Sequence, residues 1–277
     1  MLQLTPENYY SPESNAEYMS VHQFQSWREC AAREWAVQHG KWQMKATEPM
    51  LVGSYVDAAL TEPVAVLNQF CIDHASDVFG RRGAKRAAFE TADKMVDRLR
   101  RDPFAMELLR GETQRIVTGE LGGCAWKGKV DVLKADKGIF VDLKTCASFE
   151  WAWRSFFDVG TQTPRNEKVP WYDGYWFQLG VYRELLRQNG FDCLPIIVAV
   201  TKQVPPDIGA WTFEATDRLG LEVEYALSSL GQVLAYKRGD APPPACGSCD
   251  YCRHTKTLSI EPAEDYRGRA TSVRKEF

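Results

Sequence analysis

The stretch Phe140-Val-Asp142-Leu-Lys144-Thr145 decides how the rest of the chain is read. Apolar and charged residues alternate in it, which is the period of a strand. On that reading Asp142 and Lys144 share one face, while Val141 and Leu143 share the other. A carboxylate beside an ammonium can serve one site, the acid holding a divalent cation and the amine orienting a water or offsetting developing charge. Taken alone, the pair reads more readily as a solvated ion pair. Its neighbours must decide.

Ile116-Val117-Thr118-Gly119-Glu120-Leu121 and the segment from Cys124 to Leu133 are strand-like, and short turns join them to Ile139–Thr145. The spacing predicts an antiparallel meander. Asp131, on the middle strand, is then expected beside Asp142 across the ladder. Like charges so placed repel unless a cation lies between them, and Glu120 on the first strand offers a third carboxylate. Oxygen ligands on a partly open site favour Mg²⁺ or Mn²⁺ over Zn²⁺.

Upstream of the meander, residues 1–19 read as a loose polar arm. Ser20 and Gln23 form a capping box for a helix to about His39, with Phe24, Trp27, Ala31 and Trp35 on its stripe. A second helical pattern runs from Leu51 to about Phe70 and breaks or kinks at Glu62-Pro63. The basic clusters Arg81–Arg86 and Arg98–Arg101 flank a helix carrying Met95 and Leu99, and read as solvated faces rather than phosphate tracks. Downstream, Phe149 to Phe157 is helical in period and 160–170 reads as a mobile loop. Tyr172 to Gln188 predicts a helix with Gln178 and Tyr182 four residues apart on one face. Leu194–Val200 and Ala210–Phe213 predict strands, and Thr216 to Arg238 a closing helix. Beyond a triple proline, Cys246-x-x-Cys249-x-x-Cys252 has metal-ligand spacing. A single domain is expected over 20–260, comprising a helical region (20–110), a catalytic sheet with helices (111–215) and a C-terminal helix with the cysteines (216–260). A polar tail follows over 261–277.

Composition narrows the class. With 277 residues, 44% hydrophobic and 26% charged, the chain is neither fibrous nor disordered. A formal net charge of −3 supplies no global basic field, which argues against a DNA-coating protein and little against a nuclease. No signal peptide or membrane span is legible, so a cytoplasmic protein is expected. Its eight cysteines are then thiols or metal ligands, with Cys71, Cys124, Cys146 and Cys193 as small buried residues. Gly123 to Val130 is a Walker A pattern except at Val130, where the metal-holding hydroxyl is missing, and it lies in a strand. An ATPase is not expected.

The order Gly53-Ser-Tyr-Val-Asp57, Glu120, Gly128-Lys-Val-Asp131, Asp142-Leu-Lys144 and Gln178-Leu-Gly-Val-Tyr182 resembles the PD-(D/E)XK nucleases. More narrowly it resembles their RecB/RecE-like branch of phage-type exonucleases, over about residues 20–252. The resemblance implies an α/β restriction-endonuclease-like core, a mixed sheet flanked by helices, with a helical N-terminal region and a cysteine-clamped C-terminus. It implies Mg²⁺ or Mn²⁺ held by Asp131 and Asp142, helped by Glu120, Asp57 and the Leu143 carbonyl. Lys144 would assist the attacking water, and Gln178 and Tyr182 would support DNA and core. Asp57 stands where the branch usually has histidine, and Asp142 where many relatives have glutamate.

The activity implied is 5′–3′ digestion of double-stranded DNA ends, beside a single-strand annealing recombinase and as a homo-oligomeric ring. Several nucleases of the branch close an iron–sulfur cluster with one early and three late cysteines. That implies a [4Fe–4S] cluster on Cys30, Cys246, Cys249 and Cys252, with Zn²⁺ as the alternative and His254 then available as a fourth ligand. The rival reading is a non-catalytic, metal-clamped module that binds DNA or a recombinase.

Overall fold

The computed structural model describes residues 2–158 and 163–260, without the side chains of 154–158 and 163–165. The polar tail of the sequence reading lies outside these residues. Eight helical segments come first: α1 (Pro12–Glu17), α2 (Val21–Glu29), α3 (Ala31–Gln38), α4 (Glu48–Thr61), α5 (Val64–Asp73), α6 (Ala75–Val78), α7 (Ala87–Arg100) and α8 (Pro103–Leu108). The meander follows as β1 (Glu112–Leu121), β2 (Cys124–Lys134) and β3 (Ile139–Cys146), then the hairpin β4 (Ala152–Asp158) and β5 (Thr163–Val169). The chain continues through α9 (Trp176–Gln188), β6 (Leu194–Thr201), β7 (Ile208–Thr212), α10 (Thr216–Leu227), α11 (Leu230–Arg238) and α12 (Asp250–Thr255).

The main sheet has the order β1-β2-β3-β6-β7. All its pairs are antiparallel except β3 with β6, so the sheet is mixed, as expected. Gly122 and Gly123, both left-handed at φ 60° and 73°, make the two-residue turn between β1 and β2. The Walker-like glycine is therefore a hairpin turn and opens no helix.

Helices cover both faces. Phe24 and Trp27 of α2, Leu179 and Leu185 of α9 and Leu219 of α10 pack with Trp126, Val130 and Phe140. On the other face, Val52 and Val56 of α4 and Phe89, Met95 and Leu99 of α7 pack with Val132, Val141 and Leu143. The alternation read in β3 is thus realised: Val141 and Leu143 enter the α4/α7 core, and Asp142 and Lys144 point the other way.

Several expectations are corrected. The arm is not loose, because the buried Lys127 and the half-buried Lys237 tie it down. Lys127 Nζ donates to Tyr9 O (2.6 Å), Ser14 Oγ (2.6 Å) and Asn15 Oδ1 (2.7 Å), and Lys237 Nζ donates to Asn15 O (2.7 Å) and Tyr18 O (3.0 Å). An arm that looks polar in sequence is thus ordered through the polar groups themselves. The helix from Ser20 divides at Cys30, whose extended backbone (φ −159°, ψ 95°) ends α2 and starts α3. Half of the capping box forms: Ser20 Oγ accepts from Gln23 N at 3.3 Å, while Gln23 Nε2 donates to Asn15 O. Phe149–Phe157 is not helical; Ala152–Asp158 pairs with Thr163–Val169, which is strand where a loop was expected. Residues 160–162 of that loop lie outside the described residues. The C-terminal helix is broken at Ser228 and Ser229 into α10 and α11. The break at Glu62-Pro63 is found between α4 and α5. In the second basic cluster Arg100 Nη2 donates to the Ala59 carbonyl near the end of α4 (2.9 Å).

Candidate active site

The β2–β3 ladder runs from Lys134↔Ile139 to Val132↔Val141 and then stops. Asp131 and Asp142 would be the next pair. In place of a ladder bond, the Leu143 amide donates to Asp131 Oδ2 at 2.7 Å. On the other side, the β1–β2 register passes from Thr113↔Val132 to Arg115↔Val130 and skips Gln114 opposite Asp131. Gln114 has left-handed backbone at φ 53°, the single non-glycine positive φ among the described residues. Val130 and Val132 accordingly belong to cores on opposite faces. The strand changes face at Asp131, which opens toward a cleft of about 1340 Å³ lined also by Asp57, Asp142, Lys144 and Gln178.

Asp142 is buried. Its Oδ1 accepts from Gln178 Nε2 (2.9 Å), and its Oδ2 lies 2.7 Å from Lys144 Nζ. Desolvation works against the Lys144 charge, but the charges of Asp142 and Asp131 hold the ammonium above the ordinary lysine value. Asp131 shows the opposite pull. Burial first, then the charges of Asp142 and Asp57, hold its carboxyl well above the usual aspartate range. Carboxylates that meet in one cleft, with Asp131 raised by the charges of the other two, are oxygen donors suited to a hard divalent cation. On that chemistry the residues fit Mg²⁺ or Mn²⁺.

Asp57 reaches the same cleft from α4. It accepts from Thr61 Oγ1 (2.9 Å), one helical turn on, and from Gln114 Nε2 (3.1 Å to Oδ2). Burial raises its carboxyl too, opposed by Thr61 and the charge of Lys129. Tyr182 is buried and packs on Gly128, where an added Cβ would stand 3.0 Å from its ring. The glycine of Gly-x-x-Asp thus makes room for the tyrosine of Gln-x-x-x-Tyr.

Glu120 is not brought into the cluster. It is exposed, faces Ala125 in the register, and exchanges backbone bonds with the Gln188 side chain at 2.8 and 2.9 Å. Ala125 lies six positions from Asp131 along β2, about 20 Å at strand rise. A carboxylate on the right strand stands at the wrong end of it.

Gln114 and Thr61 brace Asp57, and Lys129 and His22 line the cleft, though no sequence motif of the site marks any of the four. Desolvation and the charge of Lys144 lower the His22 pKa, so this cleft residue stands within the field of the pair. Nothing in its spacing marks it, since a polar residue off the apolar stripe of α2 carries no periodic signal.

A second cluster lies away from the cleft. Cys30 Sγ is 3.6 Å from Cys252 Sγ and 3.7 Å from Cys249 Sγ, and Cys246 Sγ is 3.8 Å from Cys252 Sγ. All four sulfurs stand within 4.8 Å of one another. Cys246 N points to Cys30 Sγ and Cys249 N to Cys246 Sγ. Against desolvation, the amides of Ser248 and Cys249 bring the Cys246 thiol down to about 6. His254 packs near Trp42, with ring centroids 5.4 Å apart.

A mixed sheet between helices, with Asp131, Asp142 and Lys144 gathered where two strands part, defines a protein of the PD-(D/E)XK nuclease superfamily. Residues 20–255 match the model of a PDDEXK-like domain of unknown function (DUF3799), and the chain belongs to that family. It is also similar to the crystal structure of a "Putative exonuclease" from Eubacterium rectale, at 31% identity and a TM-score of 0.85, over 97% of this chain and 100% of that one. No curated protein matches the chain. No helix among the described residues is long and apolar enough to cross a membrane.

Proposed function

We propose that this protein is a metal-dependent deoxyribonuclease that digests linear double-stranded DNA from its ends. The observation that carries the reading is the convergence of Asp131, Asp142 and Lys144 at the point where β2 and β3 separate. The similarity to the Eubacterium rectale structure, which is described as a "Putative exonuclease", supports it. When bound, Mg²⁺ or Mn²⁺ supplies Lewis-acid charge beside the scissile phosphate. Asp131, Asp142 and Asp57 would hold it, with the Leu143 carbonyl as a further candidate.

The remaining work falls to the chain's own groups. Gln178 fixes one oxygen of Asp142, and Gln114 with Thr61 fixes Asp57, so the acids need little rearrangement. Lys144, held charged, orients the water that attacks phosphorus in line and offsets charge on the phosphoryl oxygens as the leaving oxygen departs. The 5′ polarity, the annealing recombinase and the ring assembly belong to this proposal through the resemblance alone. The test compares linear with covalently closed circular duplex, with Mg²⁺ and with chelator. Linear DNA is expected to be lost only with the metal, while the closed circle survives. Cleavage of the circle would replace end-directed digestion with endonuclease action.

For the four cysteines, the sulfur spacing supports zinc over a [4Fe–4S] cluster. Thiolates around one zinc at ~2.3 Å stand about 3.8 Å apart in a tetrahedron, close to the 3.6–3.8 Å of the Cys30–Cys252, Cys30–Cys249 and Cys246–Cys252 pairs, the other pairs lying within 4.8 Å. A cubane carries an iron behind each thiolate and needs a wider set.

A further inference from the structure

We propose that Tyr10 is a stacking platform for an unpaired base of the DNA strand entering the cleft, a role that rests on the nuclease reading. Tyr10 lines the same cleft as Asp131 and Asp142, and the residue is 71% exposed. An exposed ring over a fixed backbone offers its face to a ligand without having to be ordered first. Tyr9 next to it is buried, meets Tyr10 edge-on (centroids 4.8 Å apart, planes at 84°), and has its carbonyl bonded to Lys127. The Lys127 ammonium also lies 4.8 Å from the Tyr9 ring centroid. Tyr10 is therefore pre-positioned rather than swinging on a free arm, which lowers the ordering cost of a contact.

The chemistry around the ring suits a nucleotide. Lys129 Nζ lies 5.5 Å from the Tyr10 ring centroid, and its nearest acid, Glu62, is 3.8 Å away. An ammonium beside an exposed ring offers a phosphate partner and a base partner together. Lys129 precedes Asp131 by two residues on β2, about 7 Å at strand rise. A base on Tyr10 would thus belong to a nucleotide close to the phosphate at the acids. Stacking on a tyrosine accepts any base, so the subsite would select for an unpaired end and not for sequence.

The experiment uses full-length protein with Ca²⁺ in place of Mg²⁺ to hold off cleavage. The probe is a duplex with a short single-stranded overhang carrying 2-aminopurine at successive positions. Quenching is expected at one position with wild type, and Tyr10→Ala is expected to abolish it and weaken binding by about 5- to 150-fold. Tyr10→Phe and Tyr10→Trp should keep both within about twofold, because the ring and not the hydroxyl makes the contact. Binding by Tyr10→Ala equal to wild type, or a Tyr10→Phe variant as weak as Tyr10→Ala, overturns the assignment. If wild type digests linear DNA with Mg²⁺ and Tyr10→Ala binds normally, the stacking role alone falls. If wild type neither binds nor digests DNA, the nuclease reading falls with it.

Discussion

Asp142 and Lys144 began as an ordinary pair on a strand, and their burial makes them something else. An exposed ion pair contributes at most about 1 kcal/mol, whereas this pair lies in the cleft with a third ionisable group, Asp131, beside it. The raised pKa of Asp131 has a consequence for stability. Between the ordinary aspartate value near 4 and its higher native value, the folded protein keeps a proton that the unfolded chain has lost. Stability from this group is therefore complete below about pH 4 and falls as pH rises through the native value. In metal-free protein at neutral pH, Asp131→Asn should raise Tm by relieving the repulsion, with the gain vanishing near pH 4. Added Mg²⁺ should raise the Tm of wild type more than that of the variant. Calorimetry or thermal shift across pH checks both. A Tm difference independent of pH would remove the crowded-carboxylate account.

At the scale of elements, the site depends on β2 changing face at Asp131 and on α9 lying against β2. Gly128 is the contact that permits the second. Gly128→Ala would bring a methyl to about 3.0 Å from the Tyr182 ring, so α9, which also carries Gln178, must shift. A loss of ~1–3 kcal/mol is expected, together with lower activity, read by denaturant unfolding beside DNA digestion. Unchanged values for both would show that the packing is slack. The meander, the Asp142/Lys144 face and the α9 stripe were legible in the sequence because each is a local period. Glu120 was misjudged because a motif gives the order of residues along strands and not which end of a ten-residue strand meets the site. Gln114 was invisible, since its part depends on left-handed backbone that no pattern announces. The arm was misread because its order comes from Lys127 and Lys237, more than a hundred residues away.

Over the whole molecule, the cysteine cluster joins the α2–α3 junction to the segment around α12, and Ala32 N donates to Pro244 O beside it. Cys30 stands between α2 and α3, and its thiol joins the cluster from there. Protein purified without oxygen is expected to be colourless and to contain about one zinc per chain. Chelation, or Cys249→Ser, should lower Tm and expose the α12 segment to protease. A brown protein with iron and sulfide would restore the [4Fe–4S] expectation in place of zinc. On the proposed function the chemistry belongs to the cleft, and the cysteines hold the chain ends together. The most direct measurement is nucleotide release from linear duplex DNA with Mg²⁺, comparing wild type with Asp142→Asn and Lys144→Met. Wild type should degrade the DNA, and each variant should be slower by about 10²- to 10⁴-fold while keeping the wild-type fold by circular dichroism. Intact DNA under wild type, or variants as fast as wild type, would contradict the assignment of this site.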